Sequence, residues 1–249
     1  MSDQNIYDNP AFFEGYRALR ENENCLNELL EQPAMAALLP DLNGKSVLDL
    51  GCGCGRNCVD FARRGAARVL GLDISEKMLA VAEKESRGPG IEYIRLSMTE
   101  LPRLADAFDF IYSSLAFHYV EDFPKLAQDI YRLLGPGGCL LFSQEHPIMT
   151  ATIVDGMAHF NCDENGDRVS YTFSNYSQSG KREIHWFVGG VVKYHRPMGT
   201  LLTALTKAGF VLEEICEPVP EAWAIEKLPS IVKEFLKPNF LIVKARKAP

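Results

Sequence analysis

The chain has 249 residues, 47% hydrophobic and 24% charged, and its 26 basic against 33 acidic side chains give a formal net charge of −7. A chain of this length buries roughly 70–75% of its unfolded surface, so one sizeable core is expected and a disordered or fibrous chain is not. The acidic balance argues against a protein that neutralises a phosphate backbone with a basic face, so no nucleic-acid partner is expected.

The first ten residues are polar, with no apolar run behind a basic segment, and no later stretch supplies the ~20 consecutive apolar residues of a membrane span. Seven cysteines in no disulfide-scaffold spacing read as reduced thiols. A cytoplasmic address without a membrane partner follows. Cys52, Cys54 and Cys58 cluster, but inside a glycine-rich turn and without a second Cys or His motif, so no metal is predicted.

Residues 9–39 read as one or two helices, with Pro33 interrupting and Pro40 closing the second. From residue 46 to 144, short aliphatic runs alternate with helical stretches, the pattern of βαβ units and a parallel sheet. The strands are placed at 46–50, 68–73, 91–96, 108–113 and 138–143. Ser75 caps one intervening helix, and the apolar spacing predicts another over 123–134, ended by Gly135-Pro136-Gly137-Gly138. Residues 145–197 change character, with 168–173 and 184–194 reading as antiparallel strands of an insertion. A helix over 200–208 and strands over 210–215 and 240–245 resume the regular pattern.

The segment Val47-Leu48-Asp49-Leu50-Gly51-Cys52-Gly53-Cys54-Gly55 is a buried strand running into three alternate glycines. Such a turn lets a ligand approach the main chain at the carboxyl end of the first strand. Asp73, closing the second strand, can accept both hydroxyls of a ribose. A dinucleotide fingerprint wants its third glycine three positions after the second, and position 56 is Arg, which counts against a nicotinamide cofactor. Asp49 suits a ligand with an ammonium and would repel a pyrophosphate.

These blocks, with Leu134-Gly135-Pro136-Gly137-Gly138, resemble those of the Rossmann-like S-adenosylmethionine-dependent methyltransferases, and within them the ubiquinone- and biotin-pathway small-molecule group. The resemblance covers residues 43–143. It implies a doubly wound α/β fold with a mostly parallel seven-stranded sheet, its last strand antiparallel, plus N-terminal helices and a β-rich insertion after strand 5. The implied layout is a single domain: a helical lid over 1–42, a donor-binding core over 43–144, an acceptor-side insertion over 145–197, and completion of the sheet over 198–249. The implied cofactor is S-adenosylmethionine, leaving as S-adenosylhomocysteine, and the implied partner is a small-molecule methyl acceptor.

Carried over by residue, the family pattern sets Asp49, Gly51, Cys52 and Gly53 beside the methionine moiety, Asp73 on the ribose, and Ile74 and Met78 on the adenine side. Ser97, Met98 and Thr99 follow at the adenine edge, and Ser113 lies beside the sulfonium. Tyr7, Tyr16 and Arg20 are candidates for a lid, a tyrosine offering a cation–π contact. His118 and His146, each after a strand of the functional edge, are the candidate bases, should the acceptor carry a proton that must leave. Glu145, His146, Trp186 and Tyr194 are placed on the acceptor side. No Pro-Cys pair and no Asn- or Asp-Pro-Pro-aromatic run follows the fourth strand, which removes the hallmarks of nucleobase methylation. A nicotinamide-dependent oxidoreductase and a donor-binding protein without catalysis remain as alternatives. The sequence carries no sign of oligomeric state.

Overall fold

A computed structural model describes residues 4–248. A short 3-10 turn, Ile6–Asp8, leads into α1 (Pro10–Glu21), started by Pro10 at its first position and by the Asn9 side chain accepting from the Phe12 N–H. The chain breaks at 22–25, then runs through a π-helical turn, Asn27–Glu31, into α2 (Gln32–Leu38). Pro33 therefore does not interrupt the helical stretch. It sits in the first turn of α2, just past the π-turn, where its missing N–H is tolerated.

The core then alternates β1 (Ser46–Leu50), α3 (Arg56–Arg63), β2 (Arg68–Asp73), α4 (Glu76–Glu85), β3 (Ile91–Arg95), β4 (Phe108–Ser114), α5 (Phe123–Leu133) and β5 (Leu134–Glu145). A one-turn α6 (Pro147–Thr150) opens the insertion, which holds β6 (His159–Cys162), β7 (Arg168–Thr172), β8 (Gly180–Trp186) and β9 (Val188–His195). The chain ends with α7 (Met198–Lys207), β10 (Phe210–Cys216), α8 (Ala222–Lys227), a 3-10 stretch Pro229–Leu236, and β11 (Phe240–Lys247).

Seven strands form one sheet in the order β10-β11-β5-β4-β1-β2-β3. β1 through β5 pair in parallel, while β11 lies antiparallel between β5 and β10. The expected fold, with its last strand reversed, is thus the observed one. One face is covered by α5, α7 and the 3-10 turn Phe117–Tyr119, packing Phe117, Phe123, Leu126, Ile130 and Leu205 against Leu48, Leu50 and Phe142. The other is covered by α2 and α3, packing Met35 and Phe61 against Val47, Val69 and Phe110. Burial on both faces explains why these strands read as continuous apolar runs. The order reverses between β1 and β4, which opens a crevice at their carboxyl ends.

The insertion is β-rich as expected, but its strands divide differently. Residues 184–194 are not one strand: the chain turns back at Phe187, in the left-handed region at φ 60°, so that β8 and β9 form a hairpin with Trp186 opposite Val188. Residues 168–172 pair with β6, a polar strand that alternation does not reveal.

Candidate active site

Three left-handed glycines, Gly51, Gly53 and Gly55, carry the chain out of β1. The N–H groups of Gly51 and Cys52 both donate to the Leu72 carbonyl at 2.8 Å, tying the loop to the end of β2. Asp73 completes the tie. Its Oδ2 accepts from the Gly53 N–H and its Oδ1 from the Ser75 N–H, each at 2.8 Å. Burial raises its pKa against these backbone bonds. A Cβ on Gly51 would lie 2.7 Å from that of Ala116, whereas the space above Gly53 is open.

This loop floors a cleft of about 840 Å³, open solvent at its mouth included. Gly51, Gly53, Asp73, Ile74 and Met78 line it, as do Ser97, Met98 and Thr99 from the turn after β3. The opposing wall is N-terminal: Tyr7 and Tyr16 also line it, and the Tyr7 hydroxyl lies 3.3 Å from that of Tyr119. Asp8 clamps this segment to the start of α4, accepting from the Ser75 hydroxyl at 2.6 Å and the Lys77 N–H at 3.1 Å, a favourable place for a carboxylate.

Other expected contacts lie beneath the cleft rather than in it. Asp49 is buried, its Oδ2 facing the Cys58 thiol at 3.4 Å, and burial pushes its pKa to about 7. Cys52 is buried behind the loop. The Ser113 hydroxyl donates to the Leu50 carbonyl at 2.8 Å, and it is Ser114, with Leu115 and Ala116, that reaches the cleft. Leu115 holds φ 54°, uncommon for its type, its N–H donating to the Ser143 carbonyl at 3.0 Å.

Two charged groups from the N-terminal helices lie behind the residues that line the cleft. Glu31, fully buried, accepts from the hydroxyls of Ser143 at 2.5 Å and Ser114 at 2.8 Å, and burial raises its pKa. Sequence reasoning missed it, because a Glu following Leu29 and Leu30 reads as helix surface. Arg20 lies 3.7 Å from Glu28 through Nη2, while its buried Nη1 has no hydrogen-bond partner among the described residues. A buried donor left unpaired is costly, and the carboxylate of an amino-acid ligand would satisfy it. Arg20, Glu31, the open space above Gly53 and the acceptor oxygens of Asp73 together fit an amino-acid-bearing nucleoside.

Residues 48–142 match the family model described as a methyltransferase domain. A solved S-adenosylmethionine dependent methyltransferase from Mesorhizobium loti is 41% identical, with 87% of this chain and 97% of that one covered and a TM-score of 0.81. The chain belongs to the S-adenosylmethionine-dependent methyltransferases. An uncharacterized protein of Haemophilus influenzae is 40% identical over 97% of this chain and 96% of its own length. Trans-aconitate 2-methyltransferase of Deinococcus radiodurans matches more locally, 33% identical over 47% of each chain. The nicotinamide reading falls with this assignment.

A second cavity of the methyltransferase, about 1390 Å³ with its open mouth included, lies between α1, the end of β5 and the hairpin β8–β9. Glu145 and Trp186 line it, as the sequence leads one to expect. Aromatic rings divide it from the cleft: Tyr16 on the cleft side meets Trp186 on the chamber side edge to face, centroids 6.1 Å apart, with buried Phe12 5.3 Å from Trp186. Tyr194 lines neither cavity, its hydroxyl lying 3.4 Å from Glu121.

The two candidate bases occupy different settings, and neither lines either of these two cavities. His146 caps α6, its Nδ1 accepting from the Ile148 N–H at 3.1 Å, and its Nε2 lies 2.7 Å from Glu217. His118 is buried between Tyr119 and Glu145, and burial pushes its pKa down to about 4. Its Nδ1 takes a long bond from the Glu145 N–H at 3.5 Å. Because the folded value lies below the ordinary 6.5, the unfolded chain binds a proton that the folded chain refuses. His118 therefore gives stability that is complete above pH 6.5 and lost as pH falls toward 4, about 3 kcal/mol in all. Urea melts across that window should show a smaller loss for His118→Phe than for wild type. Equal slopes would show the ring free to charge in the folded chain.

Proposed function

We propose that the enzyme methylates a small molecule held in the chamber beside Trp186, its nucleophile reaching the donor methyl where the Tyr16 and Trp186 rings part. The observation that carries this reading is the meeting of the two cavities at those rings. When bound, S-adenosylmethionine supplies an electrophilic methyl on a sulfonium, displaced in line by a nucleophile. The protein's contribution is position, which for two aligned reactants can supply about 7–11 kcal/mol of a barrier.

In this reading Asp73 accepts the ribose hydroxyls, and Ile74, Met78, Ser97, Met98 and Thr99 enclose the base. Gly51 and Gly53 give room to the amino-acid tail, whose carboxylate meets Arg20 and whose ammonium meets the field of Glu31 and, through the loop, of Asp49. Tyr16 faces the sulfonium side, where a ring face favours a cation. Cys52 and Ser113 brace the loop from behind. His118 serves as a neutral strut behind Tyr119 and Glu145, and His146 as a helix cap, so no proton transfer is assigned to either.

We read residues 1–42 as the lid, 43–144 as the donor core, 145–197 as the acceptor side and 198–249 as completion of the sheet. The acidic net charge favours a small molecule over nucleic acid. The seven cysteines, all free, fit a cytoplasmic address.

Calorimetry with two ligands tests the donor pose. Arg20→Met should weaken S-adenosylhomocysteine by about 1.5–3 kcal/mol, the range for a hydrogen bond to a charged group. It should leave methylthioadenosine, which lacks the amino-acid tail, unaffected. Equal losses for both ligands would place the tail elsewhere.

A further inference from the structure

The chamber has a charge character opposite to that of the chain. Three cationic side chains, Arg182, Lys193 and Lys233, face it with one carboxylate, Glu145, in a protein of net charge −7. Lys193 is buried, pairs with Glu145 at 2.5 Å and stands 4.9 Å from the centre of the Trp186 ring. Lys233 lies 3.8 Å from Glu234.

Arg182 differs from both. It is 5% exposed, and its guanidinium donates only to main-chain carbonyls, among them Ala151 at 2.9 Å and Gln178 at 2.5 Å. No carboxylate lies within ion-pair distance of it among the described residues. Carbonyl oxygens accept from its Nε, Nη1 and Nη2 in four bonds, one fewer than its five N–H groups, and do not cancel its charge; a buried charge without a counter-ion is costly in a protein interior. Asn239 also lines the chamber, its amide engaged by Glu234 and Lys237. Desolvation lowers the Arg182 pKa, with no acid near to offset it.

We infer that the methyl acceptor is a small anion whose carboxylate or phosphate group rests between Arg182 and Lys193, with its less polar part against Trp186. The inference rests on the proposal that the chamber holds the acceptor. It supplies the substrate class that the donor cleft leaves open, since recognition of an anion by Arg and Lys is charge-assisted and selective against neutral and cationic relatives.

The test uses the full chain saturated with S-adenosylhomocysteine, with Trp186 fluorescence as the readout in a Trp223→Phe background, since Trp223 is exposed. Succinate, citrate and inorganic phosphate are the anionic probes; choline and glycerol are the controls. Saturable binding at millimolar concentration is expected for at least one anion and for neither control, and the preferred probe tells carboxylate from phosphate. Arg182→Met and Lys193→Met should each weaken that binding about tenfold or more, Arg182→Lys less, with S-adenosylhomocysteine affinity unchanged. Should Arg182→Met fail to fold, Lys193→Met and Arg182→Lys decide. Absence of saturable binding for all three anions, binding of choline as strong as theirs, or indifference to the Lys193 substitution would overturn the inference. Retained S-adenosylhomocysteine binding in any of those cases leaves the donor assignment standing, whereas its loss in the wild-type chain would remove the donor assignment itself.

Discussion

Replacing Asp73 with alanine should cost about 1–3 kcal/mol of donor affinity, roughly 5- to 150-fold in the dissociation constant for S-adenosylhomocysteine. The carboxylate has two tasks, and the substitution removes both. One oxygen fixes the Gly53 N–H and the other the Ser75 N–H, so the loop is shaped by the same group that is assigned the ribose. Asp73→Asn should be milder, because one acceptor oxygen survives to hold one of the two N–H groups. Titration calorimetry on the two variants, with urea melts alongside, separates loop stability from ligand contact. Unchanged affinity in Asp73→Ala would show that the sugar does not rest there.

Gly55→Ala should lower folding stability by about 2–5 kcal/mol, adding the left-handed penalty for a residue with a Cβ to the cost of overpacking. Gly55 holds φ +78°, and a Cβ there would lie 2.2 Å from the Tyr93 hydroxyl and 2.9 Å from the Ser86 Cβ. Tyr93 cannot simply swing away, since its hydroxyl donates to the Ser86 carbonyl at 2.8 Å. Gly53→Ala provides the contrast. Its φ is also positive, at +53°, but nothing lies within 4 Å of the added Cβ, so it should lose donor affinity more than stability. Urea midpoints for the two variants check the ordering; a loss in Gly55→Ala no larger than in Gly53→Ala would mean that Tyr93 yields.

These residues also show what could be read from the sequence. The glycine loop and Asp73 were legible because a strand buried on both faces announces itself as an unbroken apolar run, and the chemistry sits where that run stops. Once the sheet order was implied, so was the crevice. The turn at Phe187 was not legible: aromatic residues seldom adopt positive φ, and the neighbouring Gly189 and Gly190 advertise a turn two residues later. β6 was hidden because both of its faces are polar or partly exposed, which removes the alternation that marks a strand.

The site was legible where main chain decides it and obscure where side-chain direction does. Position after a strand put both His118 and His146 at the functional edge, but it could not say which way each ring turns. The structure points one toward Glu145 and the other toward Glu217. Ser113 and Ser114 illustrate the same limit, since neighbours in a strand face opposite ways and one residue decides between bracing β1 and reaching the cleft. Glu31 was out of reach because its burial depends on hydroxyls from β4 and β5, far away in sequence. Arg182 was equally hidden, its place set by carbonyls from the loops around the insertion.

A crystal structure with S-adenosylhomocysteine bound is the most direct measurement of the central claim. The expected density places the ribose hydroxyls on the Asp73 carboxylate, the tail over Gly53 with its carboxylate on Arg20, and the sulfur facing the Tyr16–Trp186 partition. A nucleoside seated in the other cavity, or a cleft still empty at saturating ligand, would contradict it.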